Sequence, residues 1–424
     1  MKNDSKATIS NESCSEAVAS TSVTGSTKRL SRRGFMQSMG IVGAALGLPR
    51  AYAAEKAIPG LEKAPKDLNA SKGWKPVSDR KIRVGIVGHG LCQFGAAFGF
   101  QDHPNVEVVA VSDLFPDRCA DMAKACRCSK TYPSLEEMVK DDKIEAIFLA
   151  TDAPSHPRHA ILALEHGKHV GSCVPAVYGS MEDAENLFQT VKKTGLKYMM
   201  FETSSFHEEL YAMRQLYKAG ALGKIVYAEG EYFHYTEKPL PSYKEWRVGG
   251  PPQWYPTHSN AYYIGVTDGS FTDVSCLGIP SRLDWLQPQN NRYKNAFGTE
   301  IALFRTNEGG MARMGESWDT PGNEGDFGRI RGELGSYYTA YEIAEGKKMP
   351  VEGLRRPPLP PTLDAGGHRG SHGYLTNEFI ESILLNRKPL VSVDVALNMT
   401  VSGVVAHQSA LKDGELLKIP QYKL

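Results

Sequence analysis

This chain of 424 residues has no excess charge of either sign: 49 Lys and Arg stand against 48 Asp and Glu, for a formal net charge of +1. That balance leaves no electrostatic footprint for nucleic acid or for an anionic membrane surface. The apolar run from Met39 to Leu48 is too short and too rich in Gly and Ala to span a bilayer. Cysteine is sparse, seven in all with no C-x-x-C spacing, and Cys126 and Cys128 stand too close together to suggest a metal knuckle. His234, His368 and His372 are scattered, with no carboxylate spacing that resembles a ligand set, so no metal is expected. His368, in GGHRGSH, is instead a candidate for lining a site opening. What remains is the composition of a soluble globular protein, long enough for two domains.

The N-terminus differs from the rest. Residues 1–30 are rich in Ser, Thr, Ala and Asn and carry no apolar periodicity, and SRRGFMQSMGIVGAALGLPRAYAAE follows. Arg32 and Arg33, a short apolar run and the small-x-small site Ala51-Tyr52-Ala53 come in the order of a twin-arginine export signal covering residues 1–53. A plain irregular tail is the alternative. The signal predicts the twin-arginine export machinery as a partner and a periplasmic or otherwise exported location. That route carries folded proteins, so a cofactor must be held tightly before export. A chain folded in a reducing compartment needs no disulfides. Cys14 leaves with the signal, and the other six thiols are expected to be mostly buried packing residues.

After a linker (54–80), KIRVGIVGHGLCQFGAAFGF opens a domain expected over residues 81–203. Ile82, Val84, Ile86 and Val87 suit a buried parallel strand. Gly88 and Gly90 permit a tight turn and close approach of the backbone to a pyrophosphate, with the next helix aiming its N–H groups at the phosphates. The third glycine of the usual pattern is Gln93, although Gly95 and Ala96 still allow close packing. VEVVAVSD ends at Asp113, some 25 residues after Gly88, where a carboxylate reaches ribose hydroxyls; the alternative is a cap for the helix that follows. Leu114 offers no charge for a 2′-phosphate, so NAD is favoured over NADP. Strand and helix patterns then alternate through KYMMFE, which predicts a doubly wound α/β sheet.

From LALEHGKHVGSCVPA and VKKTGLKYMMFETSSFHEELYAMRQLYKAGALGKIVYAEGEY the chain resembles the Gfo/Idh/MocA oxidoreductases, from about residue 80 to the C-terminus. The resemblance implies a Rossmann domain followed, over 204–424, by an α+β domain with an open, mostly antiparallel sheet. Its late helices, in SHGYLTNEFIESILLNRKPLVSVDVALNMTVSGVVAHQSA, are expected to pack back on the Rossmann domain. Most dehydrogenases of this family carry Glu-Lys-Pro after GKHV, whereas here the residues are Cys173-Val174-Pro175. The Val-Pro pair and the segment Tyr255-Pro256-Thr257-His258 are similar to the NAD-dependent glycosidases of glycoside hydrolase family 109. That branch usually has Glu and Asn where Cys173 and Thr203 stand.

The resemblance implies cofactor contacts at Leu91, Cys92, Ala153, Pro154, Ser155, His156, Cys173, Val174 and Thr203. It implies substrate contacts at Tyr232, Arg247, Pro256 and Thr257, with Tyr255 and His258 catalytic. The bland readings stay open: Tyr255 packing beside Trp254, Arg247 pairing with a carboxylate, Tyr232 on an exposed strand face, and His156 opening its helix. In an extended segment Tyr255 and His258 would face different sides, so Pro256 would have to bend the chain for them to converge. The leading expectation is an exported NAD enzyme that cleaves a glycoside by transient oxidation of a ring carbon. A sugar dehydrogenase or sugar–sugar oxidoreductase and a non-catalytic carbohydrate-binding protein are the alternatives. A homo-oligomer through the second sheet is possible.

Overall fold

The computed structural model describes residues 67, 69–90, 92–322, 325–343 and 354–424. The expected export signal, part of the linker and Leu91 lie outside them. Strands β1 (Ile82–Val87), β2 (Val106–Ser112), β3 (Thr131–Tyr132), β4 (Ala146–Leu149), β5 (His169–Ser172) and β6 (Tyr198–Met200) form a parallel sheet in the order β3-β2-β1-β4-β5-β6. All of β4 is buried, and so is all of β1 except Arg83, as their near-continuous apolar sequence requires. Between strands run crossover helices such as Met181–Thr194. Its cap is Ser180, which accepts the Asp183 N–H at 3.1 Å, and Gly195 stops it at a φ of 66°. Strand order reverses between β1 and β4, which opens a crevice at their C-terminal ends.

The second sheet joins β7 (Ile225–Phe233), β8 (Phe271–Pro280), β9 (Phe297–Thr306), β10 (Met311–Ser317), β11 (Gly325–Gly332), β12 (Gly335–Tyr337), β13 (Tyr341–Ile343) and β14 (Leu417–Lys418). The order is β13-β12-β11-β7-β10-β9-β8-β14. β7 and β10 run parallel and the other pairs antiparallel, so the sheet is mixed and mostly antiparallel, as expected.

The late helices do return to the first sheet. Thr376, on helix His372–Leu384, donates to the Phe98 carbonyl at 2.7 Å, and Phe379 stands edge-on to Phe201. The Met200 N–H beside it donates to the Val391 carbonyl at 3.0 Å. Helix Val393–Ala410 is buried on all sides except at Gln408, which explains why its apolar residues follow no single stripe. It packs against β8, β6 and helix Met181–Thr194. No helix among the described residues is long and apolar enough to cross a membrane.

Candidate active site

The glycine turn after β1 is shaped for close approach. Gly88 has a φ of 90°, and a β-carbon there would lie 2.5 Å from the Ala150 carbonyl oxygen. Gly90 has a φ of 61°, and a β-carbon on it would meet nothing within 4 Å, so its backbone faces open space. Asp113, just past β2, accepts the His89 N–H at 2.8 Å and the Phe115 N–H at 2.9 Å. Its carboxylate thus ties the turn to the chain entering helix Pro116–Ala125. The turn and the carboxylate fit a dinucleotide.

The helix after the turn is short. It spans only Phe94–Ala97, and Gln93 before it takes a φ of 53°. At the other end Gly99, with a φ of 75°, turns the chain into a 3-10 turn at Phe100–Asp102, so the element is bounded by left-handed residues on both sides. Gly95 does provide the close packing, because a β-carbon there would run into Met122 and the Gly88 carbonyl.

Beyond the turn lies a cleft lined by Cys92 from the β1 side, Ala150, Thr151, Ala153 and His156 after β4, Cys173 and Val174 after β5, and Thr203 after β6. His156 is buried, with Nδ1 2.9 Å from the Pro175 carbonyl and Nε2 3.1 Å from the Thr151 carbonyl, so it joins two walls of the cleft. Burial pushes its pKa down. Pro154 is exposed and the Ser155 hydroxyl turns to Asp152 at 2.8 Å; neither lines the cleft. Of the six described thiols, Cys119, Cys126, Cys173 and Cys276 are buried and Cys92 and Cys128 only partly so, with none in a disulfide.

The opposite wall is built by the segment WYPTHS, residues 254–259, which is not extended. Pro252–Trp254 forms a 3-10 turn and Thr257–Asn260 a helical turn, with Pro256 at helical angles between them. Tyr255, at a φ of -125° and ψ of 50°, turns the chain between the two, and the bend brings Tyr255 and His258 together with ring centroids 5.7 Å apart. Tyr232 on β7 completes the wall, 4.5 Å from the His258 ring and stacked on Tyr255 at 6.2 Å. Arg247 also lines the cleft, its guanidinium 4.3 Å over Trp246, and it pairs with no carboxylate among the described residues. His368 reaches the cleft as expected. Pro256 and Thr257 do not: both are buried behind it, because the turn that presents Tyr255 and His258 points the two intervening side chains inward.

The sequence did not single out what stands behind this wall. Glu202, fully buried after β6, lies 2.8 Å from His258 Nδ1. A carboxylate only accepts, so Nδ1 carries the proton and Nε2 is left as the basic atom. Burial lowers the affinity of His258 for a proton, but the charge of Glu202, its hydrogen bond and the charge of Asp326 together outweigh it, and the net shift is upward. Asp326 is held by the Ser204 hydroxyl and by His207 at 3.3 Å.

Two further glutamates clamp the bend from neighbouring strands, Glu300 on β9 and Glu316 on β10, which are direct partners in the sheet. Glu300 accepts the Gln253 N–H at 2.8 Å and meets His407 at 2.7 Å. The Ser259 hydroxyl lies within hydrogen-bond reach of both Glu316 and the Pro256 carbonyl. One hydroxyl hydrogen cannot serve both, and a protonated Glu316 resolves this by donating to Ser259, which then donates to Pro256. Burial pushes the Glu316 carboxyl well above its usual range, with nearby Glu202, Glu300 and Asp326 adding to the shift. Asn260 Nδ2 anchors the far end of the bend on the Met399 carbonyl at 2.8 Å.

Residues 82–202 match the model of Gfo/Idh/MocA, an oxidoreductase family with an NAD-binding Rossmann fold. Over those residues the chain is similar to the NAD-binding domain of that family. A glycosyl hydrolase family 109 protein of Porphyromonas gingivalis is 27% identical over 49% of this chain. The chain spans about half the length of that relative, 48%. A protein of the same name from Saccharopolyspora erythraea is 23% identical over 72% of this chain and 73% of its own. Among solved structures, levoglucosan dehydrogenase in complex with NADH and levoglucosan aligns with a TM-score of 0.68, covering 81% of this chain and 100% of that one. At 18% identity, that likeness is one of fold.

Proposed function

We propose that this protein is an exported enzyme that cleaves a glycoside without net oxidation. The observation that carries the reading is the wall on which His258, backed by buried Glu202, converges with Tyr255, opposite a position where Val174 replaces the lysine usual in dehydrogenases of the family. The name shared by the Porphyromonas and Saccharopolyspora relatives supports the same reading. Bound NAD supplies a hydride acceptor for one ring carbon and later returns the hydride.

His258 Nε2 takes the hydroxyl proton of that carbon and gives it back at the end of the cycle. A carbonyl there makes the neighbouring C–H acidic. Burial pushes the Tyr255 phenol up, so it is protonated at neutral pH and begins as a donor. It donates to the departing glycosidic oxygen and recovers a proton from the acidified C–H, and water then adds across the double bond. Val174 and Cys173 contribute shape and exclude charge. Gly88, Gly90 and Asp113 hold the dinucleotide, with Cys92, Ala153, His156 and Thr203 lining its reactive end, while Tyr232 and Arg247 contact the sugar.

Export fits this cycle, because a compartment without a ready NAD pool requires the trapped cofactor to be regenerated within each turnover. Replacing Arg32 and Arg33 together by Lys should hold the protein in the cytoplasm, and unchanged export of that variant would mean a different route. For the chemistry, purified protein is incubated with nitrophenyl glycosides and no added nucleotide. Cleavage that stops when the bound cofactor is chemically reduced beforehand supports the cycle. Accumulating NADH with the glycosidic bond intact identifies a dehydrogenase, and binding with neither outcome identifies a carbohydrate-binding protein.

A further inference from the structure

His258 and His368 both line the cleft, and they are held differently. His258 is backed by the Glu202 carboxylate. His368 is backed by a second imidazole: its Nδ1 lies 2.7 Å from His372 Nε2, and His372 Nδ1 lies 3.1 Å from the Ala97 carbonyl. A carbonyl only accepts, so His372 Nδ1 carries a proton. With both rings neutral, His372 Nε2 then accepts from His368 Nδ1, and His368 Nε2 is left bare as an acceptor. We propose that His368 Nε2 is a cofactor contact, accepting a hydrogen bond from a ribose hydroxyl or the carboxamide in the nicotinamide half of bound NAD. The assignment rests on the NAD reading above and adds to it a contact from the far end of the chain.

The acceptor is held in place by a strained segment. His368 and Arg369 take left-handed angles, with φ of 47° and 55°, where a side chain costs energy that glycine avoids. Three donors fix that backbone or its neighbours. His207 Nε2 donates to the His368 carbonyl at 3.1 Å, Arg356 to the Gly370 carbonyl at 2.6 Å, and Arg369 to the Asp326 carbonyl at 3.2 Å. Burial, joined by the charges of His372, His258 and His207 and opposed by that of Asp326, holds the His368 imidazole well below its usual pKa. His368 therefore stays neutral where His258 is favoured to gain a proton, which suits a fixed acceptor rather than a proton carrier. A bare nitrogen repels phosphate oxygens and meets hydroxyl or amide donors, and the dinucleotide offers those at its nicotinamide end. A sugar offers hydroxyls too, but His368 is built onto the cofactor side. Its ring packs on Phe94 at 5.6 Å, and its chain of hydrogen bonds ends on Ala97, the last residue of the short helix after the glycine turn.

The test compares NAD with ADP, which keeps the adenosine and pyrophosphate but lacks the nicotinamide half. Purified protein is dialysed to equilibrium against graded concentrations of each, and bound nucleotide per chain is counted. His368→Ala should weaken NAD about three- to tenfold, the worth of one hydrogen bond, and leave ADP unchanged, which also shows an intact fold. His368→Gln, whose amide oxygen can accept, should keep most of the NAD affinity. In protein labelled with ¹⁵N-histidine, the ring signals lost in His368→Gln should be those of a protonated Nδ1 and a bare Nε2. The opposite tautomer, or unchanged NAD affinity in His368→Ala, would overturn the contact. Equal weakening of NAD and ADP would overturn it in favour of a role in folding alone. Unchanged binding of both nucleotides with weaker binding of a sugar would overturn it in favour of the substrate. A parent protein that binds neither nucleotide removes the NAD reading itself, whereas failure in the variants alone removes only the contact.

Discussion

The two sides of the cleft are made in different ways. The cofactor side depends on backbone: a glycine turn at the end of β1, and a carboxylate after β2 that holds the turn by its N–H groups. The substrate side depends on side chains brought from β7, the WYPTHS bend and the 246–247 region, and it is propped by carboxylates buried in layers behind it. A site made of backbone is local, so its chemistry is concentrated in a short stretch of chain. A site made of propped side chains is shared among residues more than a hundred positions apart, and its function depends on groups that never touch a ligand.

If that contrast is real, mutations on the two sides should fail differently. His258→Ala should slow turnover by about 10²–10⁴-fold, the range for loss of a general base, while the protein still purifies with NAD. Loss of the nucleotide as well would dissolve the distinction between the sides. Asp113→Ala should do the reverse and weaken NAD by about 1.5–3 kcal/mol, the worth of hydrogen bonds to a charged acceptor. Nucleotide content and NAD titration report that loss, with turnover restored by excess NAD.

Glu202→Gln tests a prop. The protonated form of His258 is favoured in the folded protein, so the base becomes available only as pH rises through a value above 6.5. Removing the charge of Glu202 should move the acidic limb of the kcat/KM profile to lower pH, because burial then acts with less opposition. The same shift gives stability that is full below pH 6.5 and lost at higher pH, and the variant should lose that dependence too. An unmoved limb would mean that Glu202 only fills space.

The smallest effect is expected at Glu316. Its raised pKa means that stability is full below the ordinary carboxyl value and declines as pH rises through the folded one. Glu316→Gln keeps a donor for Ser259 and removes the titration, so its melting temperature should equal or exceed the parent's at pH 8. Glu316→Ala should lose about 1–3 kcal/mol by leaving polar groups unpaired.

The same contrast decides how much was legible in the sequence. The parallel sheet followed from apolar runs at β1 and β4, and the turn at Gly88 and Gly90, with Asp113 facing it, was marked by spacing, because backbone constraints leave local marks. Tyr255 and His258 were singled out through a family segment on the condition that Pro256 bends the chain, and the bend lies at Tyr255 and Pro256, between two short turns. That geometry also explains why Pro256 and Thr257 lie behind the wall. Glu202 ended the strand pattern KYMMFE and could have been suspected as a buried charge at a strand terminus. Asp326, Glu300 and Glu316 left no local mark, since a glutamate on an alternating strand reads as an outward side chain until the fold shows what covers it.

The most direct test of the central claim follows the hydrogen atoms during cleavage in D₂O. Removal of a hydride from one ring carbon and a proton from the next predicts a released sugar carrying one solvent deuterium at the second carbon, with no net NADH. Cleavage that gives a sugar with no deuterium on carbon would contradict transient oxidation and leave an ordinary hydrolysis.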